Sequence, residues 1–214
     1  MDVVVAGGHG QIALRLLRLL AERGDRARGL VRNRDHFADI EAAGAEPVFC
    51  DMESETHLEQ FIRGADALVF AAGAGPGSGA ARKKTVDLGA ALKLIEAARK
   101  EGTGHWVMVS AINTPRPERW AEEMRPYYEA KAEADHALEE SGLPYTIVRP
   151  GRLTDDPGSG LVSIGDDLGR DDVPRDDVAA VLAAVLAAPE LTRGRSFDLV
   201  AGDTQIDAAL AGLA

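Results

Sequence analysis

The stretch that decides the fold is residues 2–13, Asp2-Val3-Val4-Val5-Ala6-Gly7-Gly8-His9-Gly10-Gln11-Ile12-Ala13. Residues 2–6 form an unbroken apolar run, the pattern of a strand buried on both faces of a parallel sheet. From Gln11 to Arg23, Ile12, Leu16, Leu19 and Leu20 recur at helical spacing, and Arg23-Gly24-Asp25 closes that helix. Gly7, Gly10 and Ala13 fit G-x-x-G-x-x-A, while Gly8, Gly10 and Ala13 fit the dinucleotide fingerprint G-x-G-x-x-G/A. Either register serves the same end. The turn out of the strand needs positive φ, the backbone must approach a pyrophosphate, and a small residue lets the helix pack on the sheet. The helix N-terminus then offers unpaired N–H groups and a positive dipole. Dinucleotide binding is the expectation.

Outward from this unit, strand and helix alternate. Strands are expected over residues 28–31, 46–50, 66–72, 105–110 and 145–148, with weaker signals at 161–164 and 197–200. Helices are expected over residues 37–43, 55–63, 80–100, 127–140, 178–188 and 206–213. Pro126 suits the first position of its helix. Six strands with intervening helices predict an α/β fold, an open doubly wound parallel sheet with right-handed crossovers. No repeat or interdomain linker interrupts it. One domain over residues 1–214 is expected, with residues 151–214 supplying a small cap on the substrate side. Residues 154–177 read as a long loop.

The end of the second strand chooses the cofactor. An NAD site places Asp or Glu there to accept from the ribose 2′-OH. Here the residues are Val31-Arg32-Asn33-Arg34. A guanidinium stacks on adenine and pairs with a 2′-phosphate, so NADP(H) is predicted over NAD(H). Residues 1–34 hold seven Arg against three acids, a local balance of +4 in a chain of net charge −11. A basic segment in an acidic chain fits an anionic cofactor.

The 214 residues, 45% hydrophobic and 28% charged, can bury a real core. That composition excludes disorder, collagen and disulfide-stapled mini-proteins. The acidity argues against nucleic acid or an anionic membrane as partner. Eight acids fall between Asp155 and Asp177, which argues against a strongly anionic substrate. Met1-Asp2 runs directly into the first strand without a basic leader, and no apolar stretch reaches the ~20 residues of a membrane helix. Cys50 is the single cysteine. A cytoplasmic location is therefore expected. Cys50 reads as a buried strand residue, and the five histidines lack ligand spacing, so no metal site is expected.

Tyr127 and Lys131 stand four apart at the start of a helix and share a face. An ammonium beside a phenol lowers the phenol pKa and fits it for acid–base work. Tyr128 is the alternative phenol. Ser110 ends the fifth strand, where open α/β sheets bind ligands, and its hydroxyl could donate to a substrate carbonyl.

Taken together, Gly7-Gly8-His9-Gly10-Gln11-Ile12-Ala13, Arg32, Asp51-Met52, Ala71-Ala72-Gly73, Val86-Asp87, Val109-Ser110-Ala111, Tyr127 to Lys131 and Arg149-Pro150-Gly151 resemble the short-chain dehydrogenase/reductase superfamily. Over nearly the whole chain the sequence is most similar to its atypical NAD(P)-binding branch, of epimerase/dehydratase type, with NmrA-like redox-sensing neighbours. The resemblance implies that Gly7, Gly10 and Ala13 hold the pyrophosphate, with Gly8, His9, Gln11 and Ile12 also among the cofactor-binding residues. It places Arg32, with Asn33 and Arg34, at the 2′-phosphate. Asp51 and Met52 would flank the adenine, and Ala71, Ala72 and Gly73 the ribose. Pro150 and Gly151 would pass beside the nicotinamide. Ser110, Tyr127 and Lys131 would be the catalytic set, with Lys131 also holding the nicotinamide ribose. Asp87 stands where the superfamily's fourth catalytic residue is Asn, and an ionised acid cannot donate a hydrogen bond.

These readings point to an NADP(H)-dependent oxidoreductase acting on a small carbonyl, quinone or similar acceptor, working as a monomer or homodimer. The alternatives are an NmrA-like NADP(H) sensor without turnover, and a flavin or tetrapyrrole reductase. The 63 residues after Gly151 favour a small substrate over a sugar nucleotide.

Overall fold

The computed structural model describes residues 1–73 and 84–213. The glycines at 75, 77 and 79 and the expected helix start at residues 80–83 lie outside the described residues. Eleven strands are described: β1 (Asp2–Ala6), β2 (Arg26–Val31), β3 (Glu46–Phe49), β4 (Ala67–Phe70), β5 (His105–Val109), β6 (Tyr145–Pro150), β7 (Arg152–Thr154), β8 (Leu161–Gly165), β9 (Asp172–Pro174), β10 (Arg195–Ala201) and β11 (Thr204–Gln205). The α-helices are α1 (Gln11–Glu22), α2 (Phe37–Ala42), α3 (Glu59–Ile62), α4 (Ala90–Glu101), α5 (Arg125–Glu139), α6 (Arg175–Ala187) and α7 (Ile206–Ala211).

Nine strands form one sheet in the order β11-β8-β10-β6-β5-β4-β1-β2-β3. The run from β3 to β10 is parallel, while β8 pairs antiparallel with both β10 and β11. This is a doubly wound, Rossmann-like α/β fold. Strand periodicity sorts the core into two layers. Val3 and Val5 face α1 and α6, with Leu16, Leu17, Leu20, Val181, Leu182 and Val185. Val4 and Ala6 face the opposite layer, with Leu68, Phe70, Leu94, Trp106 and Leu138. The chain crosses from one layer to the other between β1 and β4, the topological switch point where such sheets bind ligands.

Three elements differ from expectation, each for a local reason. The helix expected over residues 55–63 shrinks to α3. The Asp51 carbonyl captures the N–H groups of Ser54 and Glu55, and Lys93 Nζ donates to the carbonyls of Met52, Glu53 and Glu55 at 3.1, 2.8 and 2.9 Å. Those groups are therefore withdrawn from helical pairing. The helix expected over residues 80–100 is wound as a π-helix from Lys84 to Gly89 before α4 begins. Single π-turns favour functional sites, and this one carries Asp87. The expected loop at residues 154–177 contains β8 and a small parallel ribbon, β7–β9. Asp177, buried in the first turn of α6, anchors the loop before β8 by accepting from the N–H groups of Ser159 and Gly160 at 3.0 and 2.8 Å. Among the described residues no helix is long and apolar enough to cross a membrane.

Candidate cofactor cleft and active site

Gly7 has φ +80, and a Cβ there would lie 2.6 Å from Ala72 Cα and 2.8 Å from Ala72 N. The turn needs both the left-handed backbone and the missing side chain, which settles the register on Gly7. Gly8 is required for a second reason: its Cβ would lie 2.7 Å from the Cα of Gly29 on β2. Its own N–H donates to the Leu30 carbonyl at 2.9 Å. The loop thus rests on backbone at both sides. Gly10 then starts α1 with no side-chain cap and no acid in the first turn, so its N–H groups and positive dipole face outward.

A cleft of about 290 Å³ opens over this loop. Gly7, His9, Gly10, Arg32, Asp51, Met52, Ala71, Ala72 and Gly73 line it, as the sequence reading places them. Cys50 lines its floor, and burial beside Glu55 and Asp51 pushes its thiol up to about 12. That thiol stays protonated and unreactive. The remaining expected cofactor residues lie elsewhere. Asn33 spends its side chain on the Asp35 N–H, and the Arg34 guanidinium stacks 4.7 Å over the Phe49 ring. Ile12 packs into the core and Gln11 is exposed in the first turn of α1. Pro150 and Gly151 cap β6, where a Cβ on Gly151 would lie 2.1 Å from the Asp171 carbonyl oxygen.

Charge is placed differently from its linear distribution. Of the arginines in residues 1–34, Arg26 and Arg28 pair with Asp2, Arg23 with Asp25, and Arg15 with Asp155 and Asp176. Arg32 alone of them lines the cleft, 3.2 Å from Glu53. The acids of residues 155–177 are likewise largely spent. Asp155 pairs also with Arg175, Asp167 with Arg116 and Arg119, and Asp172 with Arg152. Acids paired in this way do not exclude an anionic substrate.

The second half of the site forms where α5 crosses the ends of β5 and β6. Residues 111–124 fold back through Trp120, whose Nε1 donates to the Asn113 carbonyl at 2.8 Å and whose ring stacks on Tyr128 at 5.6 Å. Tyr128 is thereby a buried packing residue, and Tyr127 is the phenol turned toward the acidic cluster. Lys131 Nζ donates to the Val109 carbonyl at 3.1 Å and lies 3.5 Å from Asp87 Oδ1. Lys131 is expected to lower the Tyr127 pKa, but its ammonium faces Asp87. Burial, then Asp87, Tyr128 and Asp135, push that phenol well above its ordinary value. Ser110 is also corrected: its hydroxyl donates to Asp135 Oδ2 at 2.9 Å. Asp135 is buried, pairs with Arg149 Nε at 3.1 Å, and is pushed up to about 6, chiefly by burial.

Several site residues escaped the sequence reading. Asp135 had a signal, because Tyr127, Lys131 and Asp135 follow one another at helical i+4 spacing. His36 lines the cleft and stacks on His9 with centroids 3.6 Å apart, and Glu53 faces Arg32. Lys93 had no signal, since its carbonyl partners lie some forty residues upstream. It clamps residues 52–55, of which Met52 and Glu53 line the cleft. Replacing Lys93 with methionine keeps the stem and removes three charge-assisted bonds, each worth roughly 1.5–3 kcal/mol. NAD(P)H affinity measured by fluorescence titration is expected to fall about tenfold. Unchanged affinity would show that the segment holds itself.

A sequence profile described as NAD(P)H-binding matches residues 7–189. The uncharacterized sugar epimerase YhfK of Bacillus subtilis is 44% identical over 212 residues, covering 98% of this chain and 99% of that protein. A Bacillus halodurans structure, provisionally described as an NAD-dependent epimerase/dehydratase, superposes with a TM-score of 0.93 at 34% identity, covering 99% of each chain. The oxidoreductase ylbE of Lactococcus lactis follows with a TM-score of 0.89 and 25% identity, over 100% of this chain and 96% of that one. The chain therefore belongs to the NAD(P)H-binding family, with short-chain dehydrogenase/reductases among its structural neighbours.

Proposed function

We propose that the protein is an NADP(H)-dependent oxidoreductase that reduces a small carbonyl, quinone or similar acceptor. The observation that carries this reading is the junction at Gly73. Gly73 lines the cofactor cleft, and Asp87 Oδ1 lies 3.2 Å from where a Gly73 Cβ would stand. The Asp87–Lys131–Tyr127 cluster therefore abuts the cleft. Bound NADPH would supply the hydride. Tyr127, kept protonated by its buried acidic surroundings, would give its proton to the substrate oxygen. Lys131, steadied by Asp87 and the Val109 carbonyl, would hold the ribose side of the cofactor. Asp87 forms an ion pair with Lys131 at 3.5 Å, so it would anchor that lysine and would not pass on a proton as Asn does.

Arg32 supports NADP(H) over NAD(H). It lines the cleft at the end of β2, where an NAD site carries a carboxylate. Its partner Glu53 also accepts from the Thr85 hydroxyl at 2.8 Å. A 2′-phosphate would take the guanidinium from Glu53, with His36 beside it. Arg32→Asp is expected to weaken NADPH binding about ten- to a hundredfold and NADH binding far less. Equal losses for the two cofactors would remove Arg32 from the 2′-phosphate.

The reaction itself is tested by NADPH consumption with a panel of aldehydes, ketones, quinones, flavin and a tetrapyrrole. One observation favours a sensor without turnover: the Ser110 hydroxyl is already given to Asp135. No consumption across the panel, with NADP⁺ and NADPH bound at unequal affinity, would select that reading.

A further inference from the structure

We propose that Asp135 is a positioning residue that decides whether Ser110 offers the substrate pocket a hydrogen-bond donor or only an acceptor. The inference rests on the reductase reading and deepens it. Ser110 has one hydroxyl proton, and it goes to Asp135 Oδ2 at 2.9 Å. The neighbouring Thr114 hydroxyl cannot substitute, because it donates to the Ala111 carbonyl at 2.6 Å. While Asp135 is ionised, a charge-assisted bond holds the Ser110 proton, roughly twice as strong as a neutral one. A substrate carbonyl competes poorly for it. Once Asp135 is neutral the two acceptors are of similar strength, and Ser110 can donate to a carbonyl.

The surroundings suit such a change of state. Asp135 is 3% exposed. Its Oδ2 takes both the Ser110 and the Arg149 bonds, while its buried Oδ1 has no hydrogen-bond partner among the described residues. A buried carboxylate with one bare oxygen is costly to ionise. The charges facing it are Arg149 on β6, which lies 3.6 Å from Glu139, and Lys131 on its own helix, which faces Asp87. The Tyr127 phenol lies within its electrostatic reach and stays protonated. Arginine remains charged at any working pH, so Arg149 supplies a constant field against which Asp135 titrates, near pH 6. Carbonyl reduction would accordingly gain a donor from Ser110 as pH falls through that value.

Two measurements test this on the full chain. The first follows the Asp135 carboxyl carbon by NMR across pH, without substrate. A midpoint about 6 is expected. It should move upward in Ser110→Ala, since the serine bond favours the ionised form. The second compares kcat for menadione at saturating NADPH in the native protein and Asp135→Asn, whose neutral amide keeps the shape. The native rate is expected to fall roughly ten- to a hundredfold from about pH 5.5 to about pH 8, and the asparagine protein to lose that slope. A midpoint at ordinary carboxylate values, no movement in Ser110→Ala, or the same slope in both proteins overturns the proposal. A purely structural Asp135 would lower stability and rate in the variant and leave the slope intact. If Asp135→Asn does not fold, the Ser110→Ala titration decides alone. Absence of turnover in every protein would defeat the reductase reading, and the titration would still decide the Ser110–Asp135 coupling.

Discussion

Gly7→Ala is expected to lower thermal stability by about 5–20 °C and to weaken NADPH binding at least about tenfold. Two costs add. Left-handed backbone costs an L-residue with a Cβ roughly 1–2 kcal/mol, and Gly7 sits at φ +80. The new methyl would also stand 2.6 Å from Ala72 Cα and 2.8 Å from Ala72 N. Those are backbone atoms at the end of β4, between two core layers, and they cannot swing aside as a side chain does. Overpacking of this kind costs roughly 1–3 kcal/mol. The sum, roughly 2–5 kcal/mol, corresponds to that shift in a domain of this size, at about 2–4 °C per kcal/mol. Relief by displacement would move the loop and Ala72 apart, and both line the cleft, so cofactor affinity falls with stability. Gly24→Ala is the control. Gly24 has φ +86 and open space around its Cβ position, so it should show the backbone cost alone and bind NADPH normally. Calorimetry and fluorescence titration read both effects. A Gly7→Ala protein no worse than Gly24→Ala would show that β1 and β4 give way easily.

Tyr127→Phe is expected to reduce kcat by about 10²–10⁴ with the substrate that the panel identifies, while NADPH affinity stays within about twofold. The phenol is the group the fold turns toward Asp87 and Asp135, and its raised pKa keeps the proton available at neutral pH. The ring is retained in the variant, so its edge contact with Tyr128 at 5.3 Å survives. Tyr128→Phe serves as the comparison. That ring is buried against Trp120, and its substitution should alter stability more than rate. Because burial and the Asp87 carboxylate raise the Tyr127 pKa, the native pH–rate profile should show no alkaline limb from this phenol below about pH 9. Steady-state kinetics of both variants decide the assignment. Equal kcat in the native and Tyr127→Phe proteins would remove Tyr127 from proton transfer.

Local patterns read well from the linear sequence. The apolar run before Gly7 and the helical repeat after Gly10 have one consistent solution, so β1, the loop and α1 were legible with the side of the sheet that binds. The doubly wound sheet followed, because parallel strands joined by helices leave few right-handed windings, while the strand order came from the structure. Among the cleft residues, Gly7, His9, Gly10 and Arg32 were legible because they follow strands, and strand ends fix position, whereas Asp51, Met52 and residues 71–73 came only from the family resemblance. Charges were read less well. A run of arginines in sequence says nothing about which acid each will meet, and Asp2, Asp25 and Asp176 consumed most of them. The helix expected at residues 55–63 was shortened because Lys93, some forty residues downstream, took the carbonyls of Met52, Glu53 and Glu55 at its start.

The sequence by itself determined the doubly wound fold, the glycine cradle and the candidate pair Tyr127 and Lys131, because short-range spacing encodes strand, turn and helix face. Tertiary structure alone decided the chemistry between those groups. Burial and the ends of β5, β6 and α5 brought Asp87 to Lys131 and Asp135 to Ser110. The tyrosine expected to be acidified is instead held protonated, and the serine expected to face a carbonyl instead serves a carboxylate. Protonation and hydrogen-bond polarity depend on what lies within a few ångströms in space, and periodicity along the chain carries no record of that.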